Sequence, residues 1–412
     1  MKWLPTLALL LLATLPALAA DWPQWLGPHR DGISSESIKP WKGELKVLWR
    51  QAVGPGHSSP VVAHGKVFLF AQAKGENKEE MLAFDAQTGT KEWNTSYERG
   101  TFFSPFGTGP QGTPAVAGGK VYSYGATGIL SCFDAKSGHI DWKVDTKKEF
   151  MPPSLFFGVA CSPLINGKNV IVDVGAKGAS IVAFTKDKGE VAWKALDDKA
   201  SYSSGINLHT AAGDQVVFLT QQALRGLSAK DGNPLWDFPL VDRLNESSTT
   251  PVVAGNMLLA ASVTYGMVGL KLKTEGGATA VEQVWKNPKL TCYFSTPIAV
   301  GKKYVYVVAG VAKLLGASST LHCVELATGK IMWSKEKIGI YHAAMLLTAD
   351  NKILLLSDLG DLILFEPNSK EYKELARSKV VKGERIWAHP ALANGKVYFR
   401  DDKELICLQM PE

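Results

Sequence analysis

The sequence predicts an all-β fold: an eight-bladed β-propeller of four-stranded antiparallel blades, closed by an N-terminal strand that completes the last blade. Three observations predict it. A Gly-x-x-x-Trp pattern recurs along the chain, a glycine-led apolar strand occurs eight times, and the first and last repeats are each incomplete in complementary ways.

The first pattern reads DAQTGTKEW (85–93), DAKSGHIDW (134–142), TKDKGEVAW (185–193), SAKDGNPLW (228–236) and ELATGKIMW (325–333). Polar residues and a glycine suit a tight connection between antiparallel strands, because glycine accepts a positive φ without a Cβ clash. The tryptophan then falls at a fixed place on the outgoing strand. Trp285, in VEQVW, fits the series with a longer turn, and Trp49, in LKVLW, fits it with no turn before it. Tyr372, in KEYKEL, is expected to replace tryptophan in the remaining copy. The series 49, 93, 142, 193, 236, 285, 333, 372 gives one four-stranded blade per step. Trp49, Trp93, Trp142, Trp193, Trp236, Trp285 and Trp333 are expected to pack between neighbouring blades and hold the ring together, each burying ~150–250 Å².

The second pattern is a polar turn followed by an apolar strand: GKVFLF (65–70), GKVYSY (119–124), GKNVIV (167–172), GDQVVFL (213–219), GNMLLA (255–260), GKKYVYV (301–307), NKILLL (351–356) and GKVYFR (395–400). Before most of these lies a short strand opening on Ser/Thr-Pro or similar: SSPVV, GTPAV, CSPLI, TTPVV, STPIA and HPALA. Proline at a strand's first residue removes no ladder bond. Each repeat therefore reads as strands a (x-Pro-x-x), b (Gly-Lys-Val-Tyr-like), c (Leu-x-x-Phe-Asp-like) and d (ending in Trp). The last copy stops after strand c, and residues 45–52 form a strand d with no a–c before it. Joining them closes the ring and hides edges that would otherwise invite aggregation.

The chain divides into a signal peptide (1–20), an irregular segment (21–44) and the propeller (45–412). Residues 1–20, MKWLPTLALLLLATLPALAA, carry one lysine, a short apolar run and an Ala-x-Ala ending. No cysteine follows, so no lipid anchor is expected there. The protein is expected in the periplasm or outside the cell, with no membrane span after cleavage. The segment 21–44 holds Trp22, Trp25 and Trp41 among Pro and Gly, and is expected to drape over the ring. A net charge of +6 without a Lys/Arg run excludes a nucleic-acid role.

No serine-hydrolase elbow, Walker loop, dinucleotide fingerprint or HExxH motif occurs. Cys132, Cys323 and Cys407 share one strand-c position with Ala83, Ala183 and Gly226, which marks a tight packing site in separate blades. Cys161 and Cys292 precede strand a. All five are expected as core thiols. His57 and His389 lie at or just before strand a, with His209 and His342 near the same place, so four histidines are expected around one mouth of the channel. Metal binding needs converging ligands, and none is expected. The loops FFSPFGTGPQG (102–112) and MPPSLFFGVA (151–160) offer an aromatic lip for a ligand or partner. The candidate mouth residues are His57, Phe102, Gln111, Phe156, His209, His342, Trp387 and His389, with no catalytic residue assigned.

These residues carry a resemblance. The x-Pro/Gly-Lys-Val-Tyr/Ala-x-Asp-x-x-Thr-Gly-x-x-x-Trp repeat resembles the pyrroloquinoline-quinone (PQQ)-like propeller superfamily, which includes quinoprotein alcohol dehydrogenases and the outer-membrane assembly lipoprotein BamB. DWPQWLGPHRDGIS (21–34), GTGPQGTPAVAGGKVYSYGATGILSCFDAKSG (107–138) and WAHPALANGKVYFRDDKELICL (387–408) are similar to secreted PQQ-binding-like β-propeller repeat proteins abundant in planctomycete-type bacteria. The dehydrogenase branch implies an adjacent Cys-Cys pair, a Glu/Asn/Asp set for Ca²⁺ and, in quinohaemoproteins, Cys-x-x-Cys-His. This chain has no adjacent cysteines and no Cys-x-x-Cys-His. The expectation is a non-catalytic, monomeric binding scaffold without cofactor, for a protein or polysaccharide partner. The alternatives are a small PQQ- and calcium-dependent alcohol or sugar dehydrogenase, and a carbohydrate-binding protein.

Overall fold

The computed structural model describes residues 20–73, 77–310, 316–383 and 385–411; the signal-peptide expectation lies almost entirely outside them. Eight four-stranded antiparallel sheets are arranged as the blades of a propeller. Blade 1 comprises Val61–Ala63, Lys66–Gln72, Lys78–Asp85 and Lys91–Glu98 as strands a to d. Blade 8 takes its strands a–c from Ala391–Ala393, Lys396–Arg400 and Glu404–Gln409, and its strand d from Val47–Ala52. Trp49 pairs with Cys407 and Ala52 with Glu404, so the two ends of the chain share one sheet as expected.

Burial explains the sequence pattern of each strand. Strands b and c lie between neighbouring blades, so both faces are covered and the residues run apolar without alternation: Asn169–Ala176 is buried throughout. Strand d has one face to water, and Lys91–Glu98 is largely exposed or half-buried.

The c–d turn locks one blade onto the next. Asp85 accepts from the backbone N–H of Thr88 at 2.7 Å, and Asp134 from that of Ser137 at 2.9 Å, folding each turn onto its own carboxylate. The indole of the preceding blade lies on that turn. Trp93 donates to Ala135 O at 3.3 Å, Trp142 to Lys186 O at 2.9 Å, Trp285 to Leu326 O at 2.8 Å, Trp333 to Asn368 O at 2.6 Å and Trp49 to Ala86 O at 3.3 Å. Glycine is needed beneath it. Gly329 has φ +69°, and a Cβ there would stand 2.4 Å from Trp285. Trp193 lies against the Gly232 turn in the same way. Trp236 turns instead to Gln215 Oε1 of its own blade, at 2.7 Å, because blade 5 joins strands c and d by a long hairpin, Gly266–Glu275 and Ala278–Asn287.

One expectation needs correction and another extension. Tyr372 does not hold the tryptophan position. In the other blades Trp pairs with the Ala/Cys/Gly position of strand c, as Trp142 does with Cys132 and Trp333 with Cys323. In blade 7 that place, opposite Leu364, belongs to Ala376. Tyr372 precedes strand d (Lys373–Lys379) and packs edge-on against Trp333, 6.0 Å between centroids. Blade 8 has no c–d turn for a blade 7 indole to cover, because its strands c and d are the two chain ends. There Trp41 donates to Ser378 at 2.8 Å within the cluster that holds Ala376.

The segment before the first strand runs over the a–b turns of blades 7 and 8 from Glu36 to Trp41, and before that it enters the channel and plugs it. Trp22 forms an antiparallel bridge with Val62 of blade 1, and Pro23 O accepts from Val116 N of blade 2 at 2.8 Å. Arg30, buried, donates to Pro163 O at 3.0 Å and Ser162 O at 3.3 Å beside blade 3; burial lowers its pKa to about 10. Gly32 meets blade 6, where a Cβ would stand 2.4 Å from Ile298. Ile33 bridges Leu347 of blade 7, and the Glu36 carboxylate accepts from Asn394 N and Gly395 N of blade 8.

Candidate functional site

Residues just before strand a form a hydrogen-bonded belt around the channel. Ser59 N donates to Thr113 Oγ1 (3.1 Å), Thr113 N to Ser162 Oγ (3.0 Å), Ser162 N to Ser204 Oγ (2.9 Å) and Thr250 N to Thr296 Oγ1 (3.4 Å). His389 N donates to Ser59 Oγ at 2.8 Å and joins blade 8 to blade 1. This belt fixes the loops above it, and those loops enclose a cavity of about 410 Å³.

Every blade contributes to the cavity. Phe106 and Gln111 come from blade 2, Phe156 and Phe157 from blade 3, and Tyr202 from blade 4. These make one aromatic wall: Phe157 stands edge-on to Phe156 at 4.9 Å and to Tyr202 at 5.2 Å. Gln111 donates to Phe157 O at 2.6 Å and so ties the two loops together. Across the ring stand Tyr293 and Phe294 of blade 6, Tyr341 of blade 7 and Trp387 of blade 8. Trp387 stacks on Tyr341 at 5.9 Å and meets Phe294 edge-on at 5.5 Å. Between the walls lie His57 of blade 1 and Glu246 of blade 5. The floor is Trp25 of the plug, held by a 2.8 Å bond from its indole to Thr250 and an edge contact with His389 at 4.6 Å.

Buried carboxylates aim the loops. Asp358 accepts from Ile340 N at 2.9 Å and Tyr341 N at 2.8 Å, which sets the approach to blade 7. His342 then stacks on Trp387 at 5.4 Å and donates from Nε2 to Ile386 O at 2.8 Å. Burial, then the positive Arg400, then His342 lower the pKa of His57 to about 3. Burial with the His342 neighbour does the same for His389. These imidazoles are neutral near neutral pH. Tyr293 is held well above the usual phenol range, first by burial and then by the Glu246 carboxylate beside it.

Of the residues expected at the mouth, His57, Gln111, Phe156 and Trp387 line the cavity, while His342 and His389 back it. His209 does not join them. It sits near the far end of strand a (Ile206–Thr210), exposed and paired with Asp214 at 2.7 Å. Phe102 lies 5.9 Å under the Arg99 guanidinium, against Gly158, and not in the cavity lining. Trp25, Tyr202, Glu246, Tyr293, Phe294 and Tyr341 were not anticipated. The Ser/Thr before most strand-a prolines was the available signal, because it marks where those blades face the channel.

The five cysteines are buried and free, and burial raises Cys132, Cys161, Cys292 and Cys407 to about 12. Among the described residues no group of three or more His, Cys, Asp or Glu side chains is poised to hold a metal ion. No helix there is long and apolar enough to cross a membrane.

Comparison with known proteins gives the following likenesses. The model of the family described as outer membrane protein assembly factor BamB matches residues 44–104 and 98–335. A protein of that name from Burkholderia pseudomallei is 25% identical over 314 residues, covering 72% of this chain and 70% of its own. Another from Yersinia pestis is 23% identical over 319 residues, covering 71% and 74%. Among solved structures, BamB from Moraxella catarrhalis superposes with a TM-score of 0.61 at 15% identity, over 89% of this chain and 98% of that one. The quinohaemoprotein alcohol dehydrogenase from Comamonas testosteroni gives 0.66 at 14%, over 95% and 82%. At such identities the superpositions speak for the fold.

Proposed function

Since the chain belongs to the family described as outer membrane protein assembly factor BamB, we propose that it is a non-catalytic binding scaffold of the periplasm or cell exterior. Its partner is a protein, engaged at the aromatic mouth. The observation that carries this reading is the apolar rim around the cup. The loops before strand a of blades 2, 3 and 5 expose Phe103, Phe106, Met151, Phe156, Val241 and Leu244. Clustered exposed apolar side chains at one end of a folded body mark an interaction surface.

The lining supports the reading that no quinone is used. PQQ carries three carboxylates, which need cations, yet the described lining offers one carboxylate, Glu246, and no lysine or arginine. The vicinal cysteine pair of the dehydrogenases has no counterpart, because Cys132, Cys323 and Cys407 sit in separate blades. These residues do not fit the cofactor.

The test is photo-crosslinking in the native host from a reactive residue at Phe103 or Phe156, against one at Lys168 in the a–b turn of blade 3. Mouth positions are expected to trap one discrete protein, and Lys168 none. Equal labelling from both ends, or a quinone chromophore at stoichiometric amount in the purified protein, overturns the proposal.

A further inference from the structure

We infer that the cup binds a small alkylated ammonium cation, held between the two aromatic walls with Glu246 as its counter-charge. Three features of the cavity lead there. First, its walls are ring faces and edges from blades 2–4 and 6–8, set on opposite sides of the channel, over an indole floor. Ring faces carry negative potential and attract cations, and a trialkylammonium group combines positive charge with an apolar surface that such walls can desolvate.

Second, the lining residues include a carboxylate and no lysine or arginine. Glu246 is the acidic side chain in it, and burial with the nearby Arg400 lowers the pKa of the His57 imidazole to about 3. Glu246 makes no ion pair among the described residues; no donor is placed on its Oε2, and the Tyr293 hydroxyl stands beside the carboxylate. Third, one wall already accommodates a cation: the exposed Arg385 guanidinium lies 4.8 Å from the Tyr341 centroid and 5.7 Å from that of Trp387.

The ammonium arrives either as a free solute or at the end of a longer molecule, such as a trimethylated lysine in a peptide.

The inference takes the mouth as the binding surface, as the reading above does, but not the nature of the partner bound on its rim. Crosslinking from Phe103 tests the rim, and titration tests the cup, so either can fail without the other. Choline, tetramethylammonium and a trimethyl-lysine peptide are titrated calorimetrically into the purified protein, beside 3,3-dimethylbutanol, the uncharged isostere of choline. The cations are expected to bind, the isostere roughly tenfold or more weakly. The tighter of the free and peptide-borne arms identifies the source. Glu246→Gln is expected to weaken choline roughly tenfold, and Glu246→Lys to abolish its binding, with circular dichroism and melting temperature of both as in the parent. Equal affinity for choline and its isostere, unchanged binding by Glu246→Gln, or no heat from any cation at roughly 50 mM overturns the inference.

Discussion

A serine or threonine before a strand-a proline does two things at once. The proline opens the strand where no ladder N–H is needed, and the hydroxyl accepts the N–H of the preceding blade. The sequence pattern made the proline's role legible; the hydroxyl's role needed the ring, because its partner lies about fifty residues away. The histidines divide in the same way. Their position before strand a was readable, but whether each faced the channel depended on which end of the strand it occupied, and His209 occupied the other one. The buried neutral imidazoles have a consequence for acid stability. The unfolded chain takes up protons at His57 and His389 near 6.5, whereas the folded protein resists until about 3. Their contribution is full above about 6.5 and is lost as pH falls from there toward 3. The melting temperature is therefore expected to drop on acidification through that window, and His389→Gln to flatten the drop. A profile unchanged by the substitution in differential scanning calorimetry would contradict this.

At the scale of the element, the Gly-x-x-x-Trp hairpin is half of a joint whose other half is in the next blade. Spacing in the sequence showed the recurrence, and it showed that the indoles would lie between blades. It did not show that the glycine of each turn serves the tryptophan of the blade before, which is why Tyr372 looked like a substitute. The blade 7 position is Ala376, and it can be small because no turn follows for an indole to cover. Trp285→Ala is expected to cost about 3–5 kcal/mol through the cavity left over Gly329 and the lost bond to Leu326 O. Gly329→Ala should cost at least ~1 kcal/mol, since it adds a Cβ at positive φ against the same ring. Tyr372→Ala, outside the joint, should cost less than Trp285→Ala. Urea midpoints of the three variants order these costs, and a Tyr372 effect equal to that of Trp285 would refute the joint.

For the whole molecule, closure depends on one strand from the start of the chain and three from its end. That was readable, because each end of the sequence held the fragment the other lacked. The plug was not. Residues 21–44 have no period, and their contacts go to blades spread around the ring. A chain shortened to begin at residue 53 would leave Glu404–Gln409 as an open edge. It is expected to run as dimers or larger species in size-exclusion chromatography, and the longer protein as a monomer. A monodisperse, monomeric shortened chain would show that the shared sheet is dispensable.

Sharing a sheet between the two ends also sets a timetable. Ala52 pairs with Glu404, about 350 residues further on, so at roughly 5–20 residues per second the first strand waits some 20–70 s for its neighbour to be synthesised. The tryptophan-bearing stretch ahead of it waits too, since the wall it leans on at His389 and Asn394 does not yet exist. Until the ribosome finishes, both stay available to chaperones and proteases. A prematurely terminated product never loses that handle, and so the architecture lets quality control tell a finished copy from an abortive one.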